Sequence, residues 1–211
     1  MKEIQVVSFD LDGTLTDSSF ANSVWLEEIP KLYATKNKIS INLAKREVFN
    51  NYKKIGNKRV EWYNITFWLD RFNLDIAPEE LIYSCKNKIS LFDDVIPILN
   101  KLKLKKRLII ISNARREFVD LEIKQTEIGS YFEKIFSATS DFNSTKNVPE
   151  VYINICEICK ISHSKMLHIG DDYKFDFEVP NKLGINSLFL DRNAIEKRKF
   201  VLKSLDEISI K

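Results

Sequence analysis

Cysteines and long apolar runs are scarce in this sequence, and each scarcity excludes a class of protein. The 211 residues include only 3 cysteines, too few for the disulfide framework of a small secreted domain. No apolar run approaches the roughly 18 residues that a membrane-spanning helix needs, and the first, IQVVSF, ends at Asp10. We therefore expect free thiols and a soluble, cytoplasmic protein without a membrane partner.

An excess of one charge is also missing. Lys and Arg together number 33 and Asp and Glu 30, so the formal net charge is only +3. This mild charge gives no indication of a nucleic-acid partner and is compatible with a small anionic ligand. With 44% hydrophobic residues, the chain can form one core domain that carries a modest insertion.

A zinc site is one interpretation of Cys156, Cys159 and His163, with His168 as a fourth ligand. However, both cysteines lie in VYINICEICK, whose apolar residues have helical spacing. His168 lies in MLHIG, a pattern typical of a buried strand. We interpret these residues as core packing.

Short β-branched runs alternate with helical patterns through the second half of the chain. Strands are predicted at IQVVSF, RLIIIS, KIFSA, MLHIG and INSLFL. Helices are predicted around residues 115–127, 148–159 and 177–183. This βαβ alternation predicts an α/β fold with a Rossmann-like, doubly wound parallel sheet that helices cover on both faces.

Between the first two predicted strands lie about 90 residues without a convincing strand, far more than one crossover helix requires. Helical periodicity appears there around residues 20–34, 41–52, 60–72 and 78–89. We assign residues 16–90 to a small helical bundle, a cap, and residues 1–15 and 91–211 to the α/β core.

Polar clusters lie just past the ends of four predicted strands. In open α/β sheets, ligands bind in the crevice at the carboxyl ends of the strands, so we expect the clusters to meet at one site. The clusters are Asp10-Leu-Asp12, Ser112-Asn113, Lys146 and Gly170-Asp171-Asp172.

The acidic residues of these clusters indicate a divalent cation. Asp10 and Asp12 flank Leu11, so strand alternation places both carboxylates on the same side. Such a concentration of negative charge requires a cation, and hard oxygen ligands favour Mg²⁺ over zinc. The remaining carboxylates of the cluster are Asp171, Asp172 and Asp176.

The other polar residues can bind an anion. Lys146, the Ser112 hydroxyl and the backbone N–H of Asn113 supply donors for a phosphoryl group. Carboxylates, a metal and phosphate donors together indicate phosphoryl transfer from a small phosphorylated metabolite.

These motifs resemble those of the haloacid dehalogenase superfamily of hydrolases. The run VSFDLDGTLTD at 7–17 resembles the first motif, and Ser112 resembles the second. TKNVPEVY from Thr145 and HIGDDYKFDF from His168 resemble the third and fourth. The helical insertion after the first motif resembles the cap of the subclass that includes phosphoglycolate phosphatases.

The resemblance implies a magnesium-dependent phosphatase that forms an aspartyl-phosphate. Asp10 is then the nucleophile, and Asp12 is the general acid and later the base. The implied Mg²⁺ ligands are the Asp10 carboxylate, the Asp12 carbonyl and Asp171. The groups implied around them are Ser112, Asn113 and Lys146 for the phosphoryl oxygens, with Asp172 and Asp176 in supporting positions.

Three other functions stay open. A haloacid dehalogenase uses the same first aspartate but has no acid at the position of Asp12, which this chain retains. A phosphomutase passes its phosphoryl group to a sugar hydroxyl instead of water. A non-catalytic regulatory module is disfavoured because Asp10, Asp12, Lys146 and Asp171 are all present.

Substrate selectivity is expected in the cap. Basic residues surround Gly56 there, and aromatic residues follow at Trp62, Tyr63, Phe67 and Trp68. We interpret most of this stretch as a solvated turn leading into a core helix, with one or two side chains facing the site.

Overall fold

The computed structural model describes residues 3–193 and 200–209 of the chain. A parallel sheet forms its centre, with strand order β3-β2-β1-β4-β5-β6. The predicted α/β class with a parallel sheet is confirmed. The strands are β1 (Val6–Phe9), β2 (Arg107–Ser112), β3 (Lys134–Ser137), β4 (Met166–Gly170), β5 (Asn186–Leu190) and β6 (Val201–Leu202).

Helices precede or follow most strands. The α-helices are α1 (Ser19–Asn22), α2 (Ile29–Asn37), α3 (Ile41–Ile55), α4 (Ile65–Arg71), α5 (Pro78–Ser84), α6 (Val95–Lys103), α7 (Arg116–Thr126), α8 (Ala138–Asp141), α9 (Pro149–Cys159) and α10 (Val179–Lys182). Segments Ser23–Glu28 and Tyr173–Glu178 are π-helical. Short 3₁₀ turns occur at Val60–Tyr63, Lys86–Lys88, Ile128–Tyr131, His163–Lys165 and Leu205–Glu207.

Successive residues of β1 point to opposite faces of the sheet, and each face packs against helices. Val7 belongs to a buried cluster that includes Leu99 of α6 and Val119 of α7. Val6 belongs to a second cluster, with Tyr152 of α9. Both faces of the sheet are therefore covered, which explains why its strands are almost continuously apolar.

The cysteines contribute to this packing. All three are free, as predicted, and all three are buried. Cys156 and Cys159 belong to the same cluster as Val6, as the core-packing interpretation predicted. His168 lies against Asp176. Among the described residues, the sole candidate metal cluster contains neither cysteine nor histidine.

The segment between β1 and α6 contains α1–α5 and has a core of its own. Phe20, Val48 and Trp68 are fully buried in it. Phe118, from α7 of the sheet domain, joins the same cluster. The inserted helices therefore rest directly on a helix that begins at the carboxyl edge of the sheet.

The chain leaves the sheet domain for the insertion and returns from it at adjacent positions. Thr16 forms an antiparallel bridge with Leu91. Next to it, the Asp17 N–H donates to the Ser90 carbonyl at 2.9 Å. This paired crossing lies at the limits of the range 16–90 predicted for the cap.

The C-terminal segment is fixed to the start of α6. The carboxylate of Asp94 accepts bonds from Arg192 at 2.8 and 3.0 Å, and from the Ser204 hydroxyl and the Leu205 N–H at 2.8 Å. Arg192 also donates to the Thr14 carbonyl at 3.0 Å. Asp94 thus connects the C-terminal segment with the loop after β1.

Within the described ranges, no helix has both the length and the apolar character needed to cross a lipid bilayer.

Candidate active site

A cavity of about 290 Å³ opens at the carboxyl edge of the sheet, next to β1. The neighbours of β1 are β2 and β4, so loops on either side of it diverge and leave a crevice. The structure brings all eight predicted site residues to its lining: Asp10, Asp12, Ser112, Asn113, Lys146, Asp171, Asp172 and Asp176.

Three carboxylates come together in this cavity. Asp10, Asp171 and Asp176 can each present an oxygen so that these atoms lie within 4.8 Å of one another. Asp10 and Asp176 are buried, whereas Asp171 is exposed. Oxygen ligands in such a group suit Mg²⁺, and their mutual repulsion favours its binding.

Two glycines leave the space that these carboxylates occupy. A Cβ on Gly13 or on Gly170 would overlap the side chain of Asp171 or of Asp176, respectively. Gly13 also has φ of 84°, in the left-handed region where an L side chain is strained. The Gly13 N–H donates to the Thr16 carbonyl at 2.7 Å, which closes the turn beneath Asp12.

Lys146 occupies the floor of the cavity and is only 2% exposed. Its ammonium donates to Asp10, to Asp176 at 2.7 Å and to the Ile111 carbonyl at 3.2 Å. Burial lowers the pKa of Lys146, but Asp10 and Asp176 outweigh it and raise this pKa well above its ordinary value. Lys146 is therefore a fixed cation beside Asp10.

Asp10 is buried, and its pKa depends on that lysine. Loss of hydration raises the pKa of Asp10 well above its ordinary value, while Lys146 opposes the rise. Asp176 and Asp171 raise it further. A second cation near Asp10 would thus favour the ionised carboxylate.

Both carboxylate oxygens of Asp176 accept hydrogen bonds. Its Oδ1 accepts from Lys146 and from His168 Nε2 at 2.9 Å, and its Oδ2 accepts from the Asp172 N–H at 3.1 Å. Burial raises the pKa of Asp176, but Lys146 and His168 lower it to about 2. These bonds give Asp176 the geometry of a residue that orients Lys146.

His168 and Ser8 extend this network into the sheet, and sequence analysis did not detect their polar role. Burial lowers the pKa of His168, so its imidazole is neutral and carries one N–H. With Nε2–H donating to Asp176, the Ser8 hydroxyl donates to Nδ1 at 2.8 Å. The available signal was the pair of polar residues at equivalent positions of two apolar runs, which β1 and β4 place opposite each other.

Asp12 is half-buried and has an unusual acidity. Loss of hydration and the negative charge of Asp171 raise the pKa of Asp12 to about 6. A carboxyl group with this pKa can donate and accept protons near neutral pH.

Ser112 and Asn113, at the end of β2, are both buried. The Ser112 hydroxyl accepts from the Ala114 N–H at 3.0 Å, and Asn113 Oδ1 accepts from the Lys146 N–H at 2.8 Å. Asn113 Nδ2 donates to the Tyr63 hydroxyl of the insertion at 3.3 Å. Asn113 thus joins the loop of Lys146 to the helices above the cavity.

Asp172 has a structural contact as well as a place in the lining. Its Oδ1 accepts the N–H groups of Lys174 and Phe175, both at 2.9 Å, and so caps the π-helical segment Tyr173–Glu178. The predicted helix at 177–183 therefore starts earlier, because the capping side chain precedes it by several residues.

Glu122 is a buried acid that sequence analysis missed. It is 0% exposed, and its Oε2 accepts from the Thr16 hydroxyl at 2.6 Å. Burial, followed by the charge of Asp12, raises the pKa of Glu122 well above its ordinary value. Nothing in its pattern distinguishes it, since a glutamate within an amphipathic helix is usually solvated.

Of the two arginines that follow Asn113, Arg115 lines the cavity and Arg116 does not. Arg115 pairs with Glu117 at 3.5 Å. Arg116 instead bonds the Ile135 carbonyl at 3.1 Å and pairs with Asp141.

The chain is similar in sequence to known hydrolases. A family model described as haloacid dehalogenase-like hydrolase matches residues 4–184. The GMP/IMP nucleotidase YrfG of Escherichia coli is 24% identical over 171 residues, which cover 81% of this chain and 75% of that protein. The N-acylneuraminate-9-phosphatase of Mus musculus is 24% identical over 205 residues, covering 89% and 82%.

A solved structure has the same fold over nearly its full length. The HAD phosphatase from Thermococcus onnurineus superimposes with a TM-score of 0.85 at 22% identity, covering 97% of this chain and 95% of that one.

The family match defines a class, the hydrolases. Within it, the chain belongs to the haloacid dehalogenase-like hydrolases.

Proposed function

We propose that the protein is a Mg²⁺-dependent phosphatase that hydrolyses a small phosphate monoester through a phosphorylated Asp10. The observation that carries this proposal is the contact of buried Asp10 with Lys146 inside a group of three carboxylates. Nucleophile, fixed cation and candidate metal ligands thus share one cavity.

In the first step, an Asp10 carboxylate oxygen attacks phosphorus and the bond from phosphorus to the ester oxygen breaks. Asp12 donates its proton to that oxygen, and an alcohol leaves. In the second step, Asp12 takes a proton from water, whose oxygen attacks the phosphorus. The bond from phosphorus to Asp10 breaks, which releases inorganic phosphate and restores both carboxyl groups.

The metal fits the residues that are present. The Asp10 carboxylate, the Asp12 backbone carbonyl and Asp171 would hold Mg²⁺, with Asp176 and Asp172 supporting the site. When bound, the cation offsets the repulsion between an anionic nucleophile and an anionic ester. Asp176 already has its oxygens occupied by Lys146, His168 and the Asp172 N–H, which favours the orienting role.

Phosphoryl oxygens need donors at the same place. Ser112, the Asn113 N–H and Lys146 are proposed to bind them, since all three residues line the cavity. The activities of the relatives, on GMP or IMP and on N-acylneuraminate 9-phosphate, support a small phosphorylated metabolite as substrate.

Trapping of the covalent intermediate tests the division of labour between the two aspartates. Asp10→Asn should form no phosphoenzyme and show essentially no turnover, because an amide oxygen is a poor nucleophile. Asp12→Asn should lose roughly 10² to 10⁴ in rate, the usual contribution of proton transfer. With an ester whose leaving group needs no proton, label should accumulate on Asp10 in the Asp12→Asn variant.

Rapid quench with labelled ester, followed by peptide mapping, gives the answer. Label on another residue, or a phosphoenzyme in Asp10→Asn, contradicts the mechanism. Full turnover in excess chelator contradicts the Mg²⁺ requirement.

A further inference from the structure

The catalytic cavity changes in chemistry from the sheet to the inserted helices. Its sheet side carries the carboxylates and Lys146. Its opposite side is formed largely by four aromatic side chains: Trp25, Trp62, Tyr63 and Phe118. We call these four residues the aromatic wall.

The aromatic wall is held in place by contacts of its own. Trp25 stacks on Phe118, with ring centroids 5.5 Å apart and planes inclined by 13°. The Tyr63 hydroxyl donates to the Asn57 carbonyl at 3.0 Å and accepts from Asn113 at 3.3 Å. These rings are ordered before any ligand binds, so stacking on them costs little conformational entropy.

A second cavity, of about 350 Å³, lies behind this wall in the inserted helices. Trp25 and Trp62 line both cavities, and the second adds Phe49, Tyr52 and Leu26. Leu26 is 39% exposed. Trp25 and Trp62 thus lie between two cavities whose linings are both rich in aromatic side chains.

Charged groups are sparse on the same side. Among the described residues that line the catalytic cavity, the cations are Lys146, whose ammonium bonds two carboxylates, and Arg115, which pairs with Glu117. Lys53 lines the second cavity, whereas the basic side chains of Lys54, Lys58 and Arg59 are absent from both linings. In the catalytic cavity a second phosphate would therefore find few cations, whereas a planar ring would find aromatic faces.

We propose that the aromatic wall is a subsite for the base of a nucleoside 5′-monophosphate. The inference rests on the proposed phosphatase function, since it places the reacting phosphate at Asp10. Stacking of a nucleobase on aromatic side chains strengthens binding by roughly tenfold or more per base. The base stacks against the wall, and the ribose spans the space beside Asn113 and Arg115.

A pair of substrates isolates the base. Adenosine or guanosine 5′-monophosphate and ribose 5-phosphate have the same phosphate and sugar, but only the nucleotides carry a base. The wild-type kcat/KM should be at least about tenfold higher for the nucleotides. In Trp62→Leu this preference should fall by about tenfold, mainly through KM, because the variant removes a stacking face.

Trp62→Leu is suited to the test because Trp62 supplies its carbonyl, not its side chain, to the bond from Trp68 Nε1 at 3.1 Å. Tyr83→Leu is the matched control. Tyr83 is an aromatic residue of the inserted helices, 57% exposed, and lines neither cavity. It should leave the preference unchanged.

Calorimetric titration of Asp10→Asn with the same compounds and Mg²⁺ separates binding from turnover. If Asp10→Asn binds nucleotides more tightly than ribose 5-phosphate but the wild-type protein hydrolyses no ester, the subsite is supported and the phosphatase function is rejected. Equal binding of nucleotides and ribose 5-phosphate, with acetyl phosphate hydrolysed normally, would reject the subsite alone. An unchanged preference in Trp62→Leu would also overturn it.

Discussion

Glu122 is a buried residue of α7 that contacts the chain crossing at Thr16. One oxygen accepts the Thr16 hydroxyl, while Oε1 has no hydrogen-bond partner in the described structure. Because burial raises its pKa well above the ordinary 4.5, Glu122 keeps its proton in the folded protein at pH values where the unfolded chain releases it.

This difference predicts a pH-dependent gain for Glu122→Gln. Above pH 4.5 the unfolded state loses a proton that the folded state retains, so wild-type stability falls as pH rises toward the raised pKa. The loss is at most about 1.4 kcal/mol per pH unit. Glutamine does not titrate, so its advantage in free energy of unfolding should grow as pH rises above 4.5 toward the raised pKa.

Urea unfolding across this range measures the effect. Glu122→Leu is the matched comparison, because it also cannot titrate but removes the shorter of the two bonds that the Thr16 hydroxyl can donate, which costs about 1 kcal/mol. Both variants should share one pH dependence and differ by a constant. A Glu122→Gln advantage that does not change with pH would show that the wild-type carboxyl is ionised.

At the scale of elements, Asp94 holds α6, the C-terminal segment and the loop after β1 together. Burial raises its pKa, but hydrogen bonds from Arg192, the Leu205 N–H and Ser204 lower it below the ordinary value. The ionised form therefore stabilises the fold above pH 3.8, and this contribution is lost as pH falls through the lowered pKa.

Asp94→Asn should loosen the C-terminal segment. An amide offers one acceptor oxygen in place of two, so Arg192 or Leu205 loses a partner, at a cost of about 1 to 3 kcal/mol. Hydrogen exchange should quicken at residues 201–205 before the rest of the sheet. Exposed Asp93 provides the control, as Asp93→Asn should leave exchange there unchanged; equal protection in both variants would contradict this role.

Helices and strands could be predicted from the sequence where a local hydrophobic pattern is enough to specify them. The apolar runs located β1 to β5, whereas β6 has two residues and too little pattern to detect. The predicted helix at 20–34 is a continuous pattern that the fold divides into α1, a π-helical segment and α2.

The site divides in the same way. Asp10 and Asp171 were predictable because they follow strand ends, which topology brings together. The contacts of Glu122 with Thr16 and of Tyr63 with Asn113 were not, because they join residues far apart in sequence and depend on how finished elements pack.

At the scale of the molecule, the carboxylate group predicts that Mg²⁺ stabilises the fold. Asp10, Asp171 and Asp176 repel one another in the folded state, where their oxygens are close. Mg²⁺ would relieve this repulsion there and has no comparable site in the unfolded chain. Stability should increase with free Mg²⁺, by about 2.7 kcal/mol at one hundred times the dissociation constant. In chelator the protein should stay folded, since its cores do not depend on the ion.

Thermal unfolding at increasing Mg²⁺ tests this, with a sodium salt of equal ionic strength as control. Asp171→Asn should weaken the dependence, because it removes an exposed ligand without opening a buried core. An undiminished rise of Tm in that variant would exclude Asp171 from the metal site.

The paired crossing at Thr16 and Leu91 also bears on how such a molecule can change over generations. Since the inserted helices leave and rejoin the sheet at hydrogen-bonded neighbours, the sheet domain itself holds the two ends of the insertion together. The entropy of closing a longer insertion rises only slowly with its length. An exchange of the segment between these two residues would therefore leave the strands that carry the carboxylates in their present order.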